Sequence, residues 1–377
     1  MAKRKQQRQR SSSSSKRRSS SKRRTKIKTS AIANGEKSSS TLCFQDVWYE
    51  HCSNRTSSDS NDNGEDAAVS NVFFELANAP SVSYRLQAQT ETPSSSDACP
   101  ITKITTKKNS IVIKQDVLGA AETHTGGIVW ETSYLLLNYL LSSKKWMGTP
   151  APLPNAAPKK TRVRTILEIG AGCGMLGISL HKAFELGIIG DEECAESSSR
   201  VILTETNEVM DNLRRNLEQN YPFPTINDDD DSKSNRKPAH LVSVDELDWT
   251  RCKHDCSKAK IEAHSVDCIV GTDVVFSTRF VLPMLETMQF LSHPHTVIYL
   301  CLQERCKDSH QLLLKEACCY GFLVNDISEA VYEDEELASS CSFGRALECK
   351  LLKLTVIAKK STKPKEKMKK KNSKKKS

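Results

Sequence analysis

The chain has 377 residues, 37% of them apolar, and a net charge of +9 that is unevenly placed. Residues 1–28 hold 13 Lys or Arg and no acid, residues 359–377 hold 11 Lys and one Glu, and removing these tails (+13 and +10) leaves −14 over residues 29–358. No apolar run reaches membrane-spanning length and no secretory signal core opens the chain, so a membrane or secreted protein is disfavoured and an intracellular one, in the nucleus, the cytoplasm or both, is expected.

Like-charged, Ser-rich segments bury too little apolar surface to offset the entropy of ordering them. Residues 1–70 are therefore expected as a disordered basic tail and residues 359–377 as a disordered Lys-rich one. Such tails suit nuclear targeting or a sequence-blind contact with nucleic acid, although no aromatic residues are interleaved to stack bases. From residue 71 apolar side chains gather, in Val72-Phe73-Phe74-Glu75-Leu76 and Tyr84-Arg85-Leu86. Ile101 to Ile104 and Ile111 to Ile113 have the alternation and β-branching of strands. The expectation for residues 71–120 is a small β-rich lead-in, with a hairpin as one arrangement.

Gly126-Gly127-Ile128-Val129-Trp130-Glu131 then leads into a leucine-rich helical pattern. A Pro- and Ala-bearing linker follows at 144–162. An apolar strand at 163–169 runs into Glu168-Ile169-Gly170-Ala171-Gly172-Cys173-Gly174, and Met175 opens the next helix. Glycines at alternate positions permit a tight turn and bring backbone N–H groups close to a ligand, where a Cβ would obstruct. Gly172 to Gly177 also fits G-x-G-x-x-G, so a dinucleotide competes. Glu168 weighs against it, since a carboxylate repels a pyrophosphate but accepts a hydrogen bond from a cationic ligand's amino group.

The second strand, 201–204, ends in Glu205, an acid placed to accept two ribose hydroxyls. A helix is expected over 207–220 with Asn207 as its cap. An acidic solvent loop at 225–238 precedes a third strand at 240–244, and then comes Leu247-Asp248-Trp249-Thr250. A carboxylate beside a flat aromatic ring suits a purine with an exocyclic amine. Cys252, His254 and Cys256 are the nearest thing to a metal cluster among 14 cysteines, but three ligands in five residues with no second cluster make a poor tetrahedral site, and no metal is expected. A fourth strand from Val266 ends at the acid of Thr272-Asp273-Val274-Val275-Phe276. Helices at 278–290 and 309–320 and strands at 296–301, 321–327 and 351–357 complete a seven-stranded α/β alternation.

Several of these motifs together resemble the methyltransferase-like twenty-one group of seven-β-strand protein-lysine methyltransferases. E-x-G-x-G-x-G at 168–174 is the first motif of class I methyltransferases, and G-x-V-W-E at 127–131, Leu-x-Trp at 247–249, Asp-x-x-Phe at 273–276 and Gln303-Glu304-Arg305 match that group. The resemblance covers residues 120–358 and implies a Rossmann-like methyltransferase domain at 121–358 binding S-adenosyl-L-methionine, with a protein lysine as substrate. It places Trp130 near the cofactor, Trp249 beside the adenine, Thr272 with the cofactor set, and Asp273 and Phe276 facing the transferred methyl. Glu205 in place of Asp and Thr250 in place of Gly depart from the group. The prolines of a nucleobase amino-methyltransferase motif are absent after Asp273, which argues against methylation of adenine or cytosine. The alternatives are an RNA-associated methyltransferase acting through the basic tails and a scaffold that holds the cofactor without transferring its methyl.

Overall fold

The structure, a computed structural model, describes residues 41–55, 65–86, 109–116, 125–142, 164–189, 198–221 and 240–357. Residues 1–40 and 56–64 of the expected basic tail, the Lys-rich tail at 359–377, the linker at 144–162, the acidic loop at 225–238 and the strand expected at 101–104 lie outside these residues.

The described chain begins with β1 (Leu42–Cys43), α1 (Phe44–Arg55), α2 (Glu65–Asn78), β2 (Ser81–Arg85), β3 (Ser110–Lys114) and α3 (Glu131–Ser142). Strands and helices then alternate through β4 (Arg164–Ile169), α4 (Met175–Glu185), β5 (Ser199–Glu205), α5 (Met210–Asn220), β6 (His240–Glu246), α6 (Cys252–Lys258), β7 (Val266–Thr272) and α7 (Thr278–Leu291). The last part holds β8 (Ser292–Gln303), α8 (Lys307–Glu316), β9 (Phe322–Asp326), the short helices α9 (Ser328–Tyr332), α10 (Ala338–Cys341) and α11 (Phe343–Ala346), and β10 (Cys349–Val356).

The main sheet has seven strands in the order β6-β5-β4-β7-β8-β10-β9. Six strands run in one direction, and β10 inserts antiparallel to them between β8 and β9. The central strands are near-continuous apolar runs because helices cover both faces. Ile166, Val201, Leu203, Cys268 and Val270 share one apolar cluster with residues of α3 and α4. Leu167, Ile169, Ile202 and Ile269 point the other way, into the cluster that contains α7. This is the Rossmann-like seven-stranded α/β architecture expected from the sequence. No helix among the described residues is long and apolar enough to cross a membrane.

The lead-in differs from expectation. Val72 to Leu76 lie in helix α2, because Val69, Val72, Phe73 and Leu76 recur at helical spacing and are buried, while Phe74 faces solvent. Residues 42–55, expected within a disordered tail, form β1 and α1. Their anchors are Phe44, stacked on Tyr134 at 4.3 Å, and Trp48, edge-on to Phe343 at 5.2 Å. Two aromatic side chains, helped by Leu42 and Val47 beside them, thus dock a helix onto the domain's core. β2 and β3 do pair antiparallel, with β1 added parallel to β2. Helix α5 begins at Met210 after Val209 with no side-chain cap, so Asn207 is exposed and caps nothing.

Candidate active site

The turn between β4 and α4 is built from backbone that only glycine adopts freely: Gly170, Gly172 and Gly174 have φ of +62°, +53° and +84°. A Cβ on Gly172 would stand 3.2 Å from the Gly126 carbonyl oxygen, and one on Gly170 would stand 2.9 Å from Val274 Cγ1 and 3.6 Å from the Trp249 ring. Bare backbone therefore keeps open the space between the turn, the Gly126 segment and Trp249. The Gly126 segment is held there through β3, whose Lys114 N–H and C=O pair with the Asn216 side chain of α5, and Asn216 also donates to the Cys173 carbonyl at 3.0 Å.

Beyond the carboxyl ends of β4 and β7, where the strand order reverses, lies a cavity of about 400 Å³. That is the edge of an open α/β sheet at which ligands bind. Glu205, at the tip of β5, accepts the Gly172 N–H at 2.8 Å on one carboxylate oxygen and the Thr206 N–H at 2.8 Å on the other. Burial pushes its carboxyl above the usual range. Asp248 caps the turn at Trp249–Arg251 by accepting the Thr250 N–H at 2.9 Å, and its second oxygen lies 3.3 Å from Arg251. Trp249, Phe280 and Phe276 form an aromatic wall, with Trp249 edge-on to Phe280 at 6.2 Å and Phe280 5.6 Å from Phe276.

At the end of β7 the chain makes a second left-handed step, at Asp273 (φ +51°). Its carboxylate accepts the Gln303 N–H at 2.9 Å on Oδ1 and the Thr132 hydroxyl at 3.1 Å on Oδ2, so its direction is fixed. Thr272 meets Ser133 of α3 at 3.1 Å. Arg305 joins the group: its guanidinium lies 4.2 Å over the Trp130 ring, 2.6 Å from Glu131 Oε1 and 3.3 Å from Asp273 Oδ2. Burial raises the Glu131 carboxyl, and the charge of Arg305 opposes that shift.

These residues fit S-adenosylmethionine. Glu205, Glu208, Asp248 and Asp273 line the cavity against Arg279 and Arg305, an excess of negative charge that suits a cationic ligand and opposes the pyrophosphate of a dinucleotide. The volume and the aromatic wall suit an adenosine-bearing molecule. Residues 106–316, more than half of the chain, match the lysine methyltransferase family. The chain belongs to that family.

This lysine methyltransferase is 26% identical over 207 residues to the protein N-lysine methyltransferase METTL21A of Xenopus tropicalis, covering 54% of this chain and 72% of the relative. It is 23% identical over 218 residues to the protein-lysine N-methyltransferase EEF2KMT of Mus musculus, covering 55% of this chain and about half (53%) of that relative. Among solved structures it matches the CurJ carbon methyltransferase with a TM-score of 0.33 and 15% identity, over 54% of this chain and 50% of that one. It matches a fibrillarin pre-rRNA processing protein of Methanococcus jannaschii with a TM-score of 0.33 and 12% identity, over 53% and 69%. At those scores the fold rests on the strand order itself.

Of the residues expected at the site, Trp130, Gly170, Ala171, Gly172, Glu205, Asp248, Trp249, Thr272, Asp273 and Phe276 line this same cavity. Gly174 instead caps α4, and Glu168 lies outside the lining. Glu168 is the next-to-last residue of β4, so the pleat turns it beneath α4, where it is 1% exposed and accepts the Gly177 N–H at 2.9 Å. Cys252 and Cys256 are buried on α6 while the His254 side chain is exposed, so the three do not converge. Glu131 and Arg305 were not singled out as site residues. Their signal lay in the Trp-Glu and Gln-Glu-Arg stretches, but nothing in sequence joins two positions 174 residues apart.

Proposed function

We propose that this chain methylates the side-chain amine of a lysine in a protein substrate, with Asp273 orienting the amine and Phe276 walling its approach. The observation that carries the reading is that the glycine turn and the fixed carboxylate of Asp273 open onto the same cavity. When bound, S-adenosylmethionine supplies a methyl on a positively charged sulfur that leaves as a neutral thioether. The chain's task is to present a neutral nitrogen in line with that methyl. A lysine amine, with an unperturbed pKa of about 10.4, must first lose a proton. Phe276 and Phe280 favour the neutral amine by excluding water, while Asp273 accepts a hydrogen bond from it and fixes the direction of its lone pair. Glu205 and the backbone of Gly170 to Gly172 hold the nucleoside end, and Asp248 and Trp249 border the base.

The test is transfer of labelled methyl by the full chain in a cell extract, with the products then treated with nuclease and the remaining protein hydrolysed in acid. Label recovered as methyl-lysine, and lost in Asp273→Asn, is the expected result. Label found only in nucleic acid would favour the RNA-associated reading, and cofactor binding with no label anywhere would favour a scaffold.

The basic tails support nuclear targeting, with salt-sensitive contact to nucleic acid as a second reading. Removal of residues 1–28 should shift a tagged chain toward the cytoplasm; an unchanged distribution would count against the first reading.

A further inference from the structure

The Asp273 carboxylate has company that the reaction scheme above does not use. Glu131 Oε1 and Asp273 Oδ2 both lie within ion-pair distance of the Arg305 guanidinium, which rests on the face of Trp130. The two acids keep only 11% and 8% of their side-chain surface, whereas Arg305 keeps 38%. Two nearly dry carboxylates beside an aromatic face form a receptor for an ammonium group, and Arg305 already occupies it.

Without that cation, two negative charges would hold an incoming lysine as an ammonium, which has no lone pair to attack a methyl. With it, the trio carries one net negative charge, enough to draw a lysine side chain in but less able to fix its proton. Resting on the proposed role of Asp273, we infer that Arg305 is a positioning residue that limits how firmly the site binds its substrate amine as a cation.

Other groups around the trio leave this balance in place. His310 of α8 is kept neutral by burial, which lowers its pKa. The Cys301 and Cys349 thiols, which face both acids, are raised by burial and stay protonated. Glu304 neighbours Arg305 in sequence and interacts with His310, Arg279 lines the cavity from α7, and Glu205, Glu208 and Asp248 line its cofactor end.

The test uses n-butylammonium as a stand-in for the lysine side chain, titrated by NMR into the full chain saturated with S-adenosylhomocysteine at about pH 9, where the amine is still mostly protonated. If Arg305 limits cation binding, affinity follows the charge of the trio. Arg305→Gln binds the probe on the order of tenfold more tightly than wild type, Glu131→Gln binds it more weakly, and Arg305→Lys matches wild type. Weaker or unchanged binding in Arg305→Gln overturns the inference while leaving Asp273 as the amine site. Should Arg305→Gln fail to fold, Glu131→Gln decides alone, and affinity at or above wild type overturns the inference. If the probe binds none of the proteins while S-adenosylhomocysteine binds all of them, the reading of Asp273 as an amine site falls as well.

Discussion

The backbone N–H of Gly172 donates to Glu205 Oε2 at 2.8 Å, which locks the glycine turn after β4 to the acid at the tip of β5. With Thr206 N–H on the other oxygen, the Glu205 carboxylate positions two stretches of backbone as well as bordering the cavity. Glu205→Ala leaves both donors unpaired, at a cost of about 1–3 kcal/mol. The expected outcome is cofactor affinity roughly 10- to 100-fold weaker by calorimetry, with the fold retained. Unchanged affinity would show that the acid only braces the turn.

Asp273 stands at φ +51°, a conformation that Asn tolerates at least as well as Asp. Asp273→Asn therefore keeps the backbone and changes the charge. Methyl transfer is expected to fall by at least about 100-fold in kcat, with cofactor affinity changed only a few-fold. A parallel loss of binding would move Asp273 from the substrate side to the cofactor side.

Burial pushes the Glu168 carboxyl up to about 8, against an unfolded value of about 4.3. Between those values the folded state holds more protons than the unfolded one, so this group costs stability progressively as pH rises through that window. Glu168→Gln keeps an acceptor for the Gly177 N–H and cannot ionise. Its melting temperature should exceed that of wild type at about pH 9, and the two should converge near pH 4. Equal curves across the range would mean that Glu168 is charged in the fold at little cost.

Phe44 is 2% exposed and stacks on Tyr134, so Phe44→Ala opens a cavity between α1 and the main domain. A loss of about 3–5 kcal/mol is expected in chemical denaturation. Protease sensitivity appearing first around residues 42–55 would locate it at α1.

The seven strands and the helices α4, α5, α7 and α8 were legible because each central strand is a short apolar run and those helices repeat apolar residues every three or four positions, whereas the short helices α6 and α9 to α11 carry too few residues to show a period. The glycine turn was legible because its backbone geometry restricts those positions to few residue types, and Asp273 because Asp-x-x-Phe resembles a motif of the family. What stayed hidden depends on distance in sequence. Phe44 and Trp48 belong to a short apolar group, Leu42 to Tyr49, inside the Ser- and Asn-rich 29–70 stretch, and residues distant in sequence, among them Phe73, Tyr84, Tyr134 and Phe343, give them a core. Val72 to Leu76 is too short an apolar run to separate helix from strand until Val69 is counted with it. Glu168 follows the motif, yet the pleat of β4 sends its side chain under α4 instead of toward the cavity. The Glu131–Arg305–Asp273 trio joins three elements by charge pairing, which no local pattern encodes.

The most direct test is calorimetric titration of the full chain with S-adenosylmethionine, comparing wild type with Gly172→Arg, whose side chain would have to start 3.2 Å from the Gly126 carbonyl. Binding by wild type that is abolished in a folded variant is the predicted result. A folded wild type that ignores S-adenosylmethionine and binds NAD instead would contradict the account at its centre.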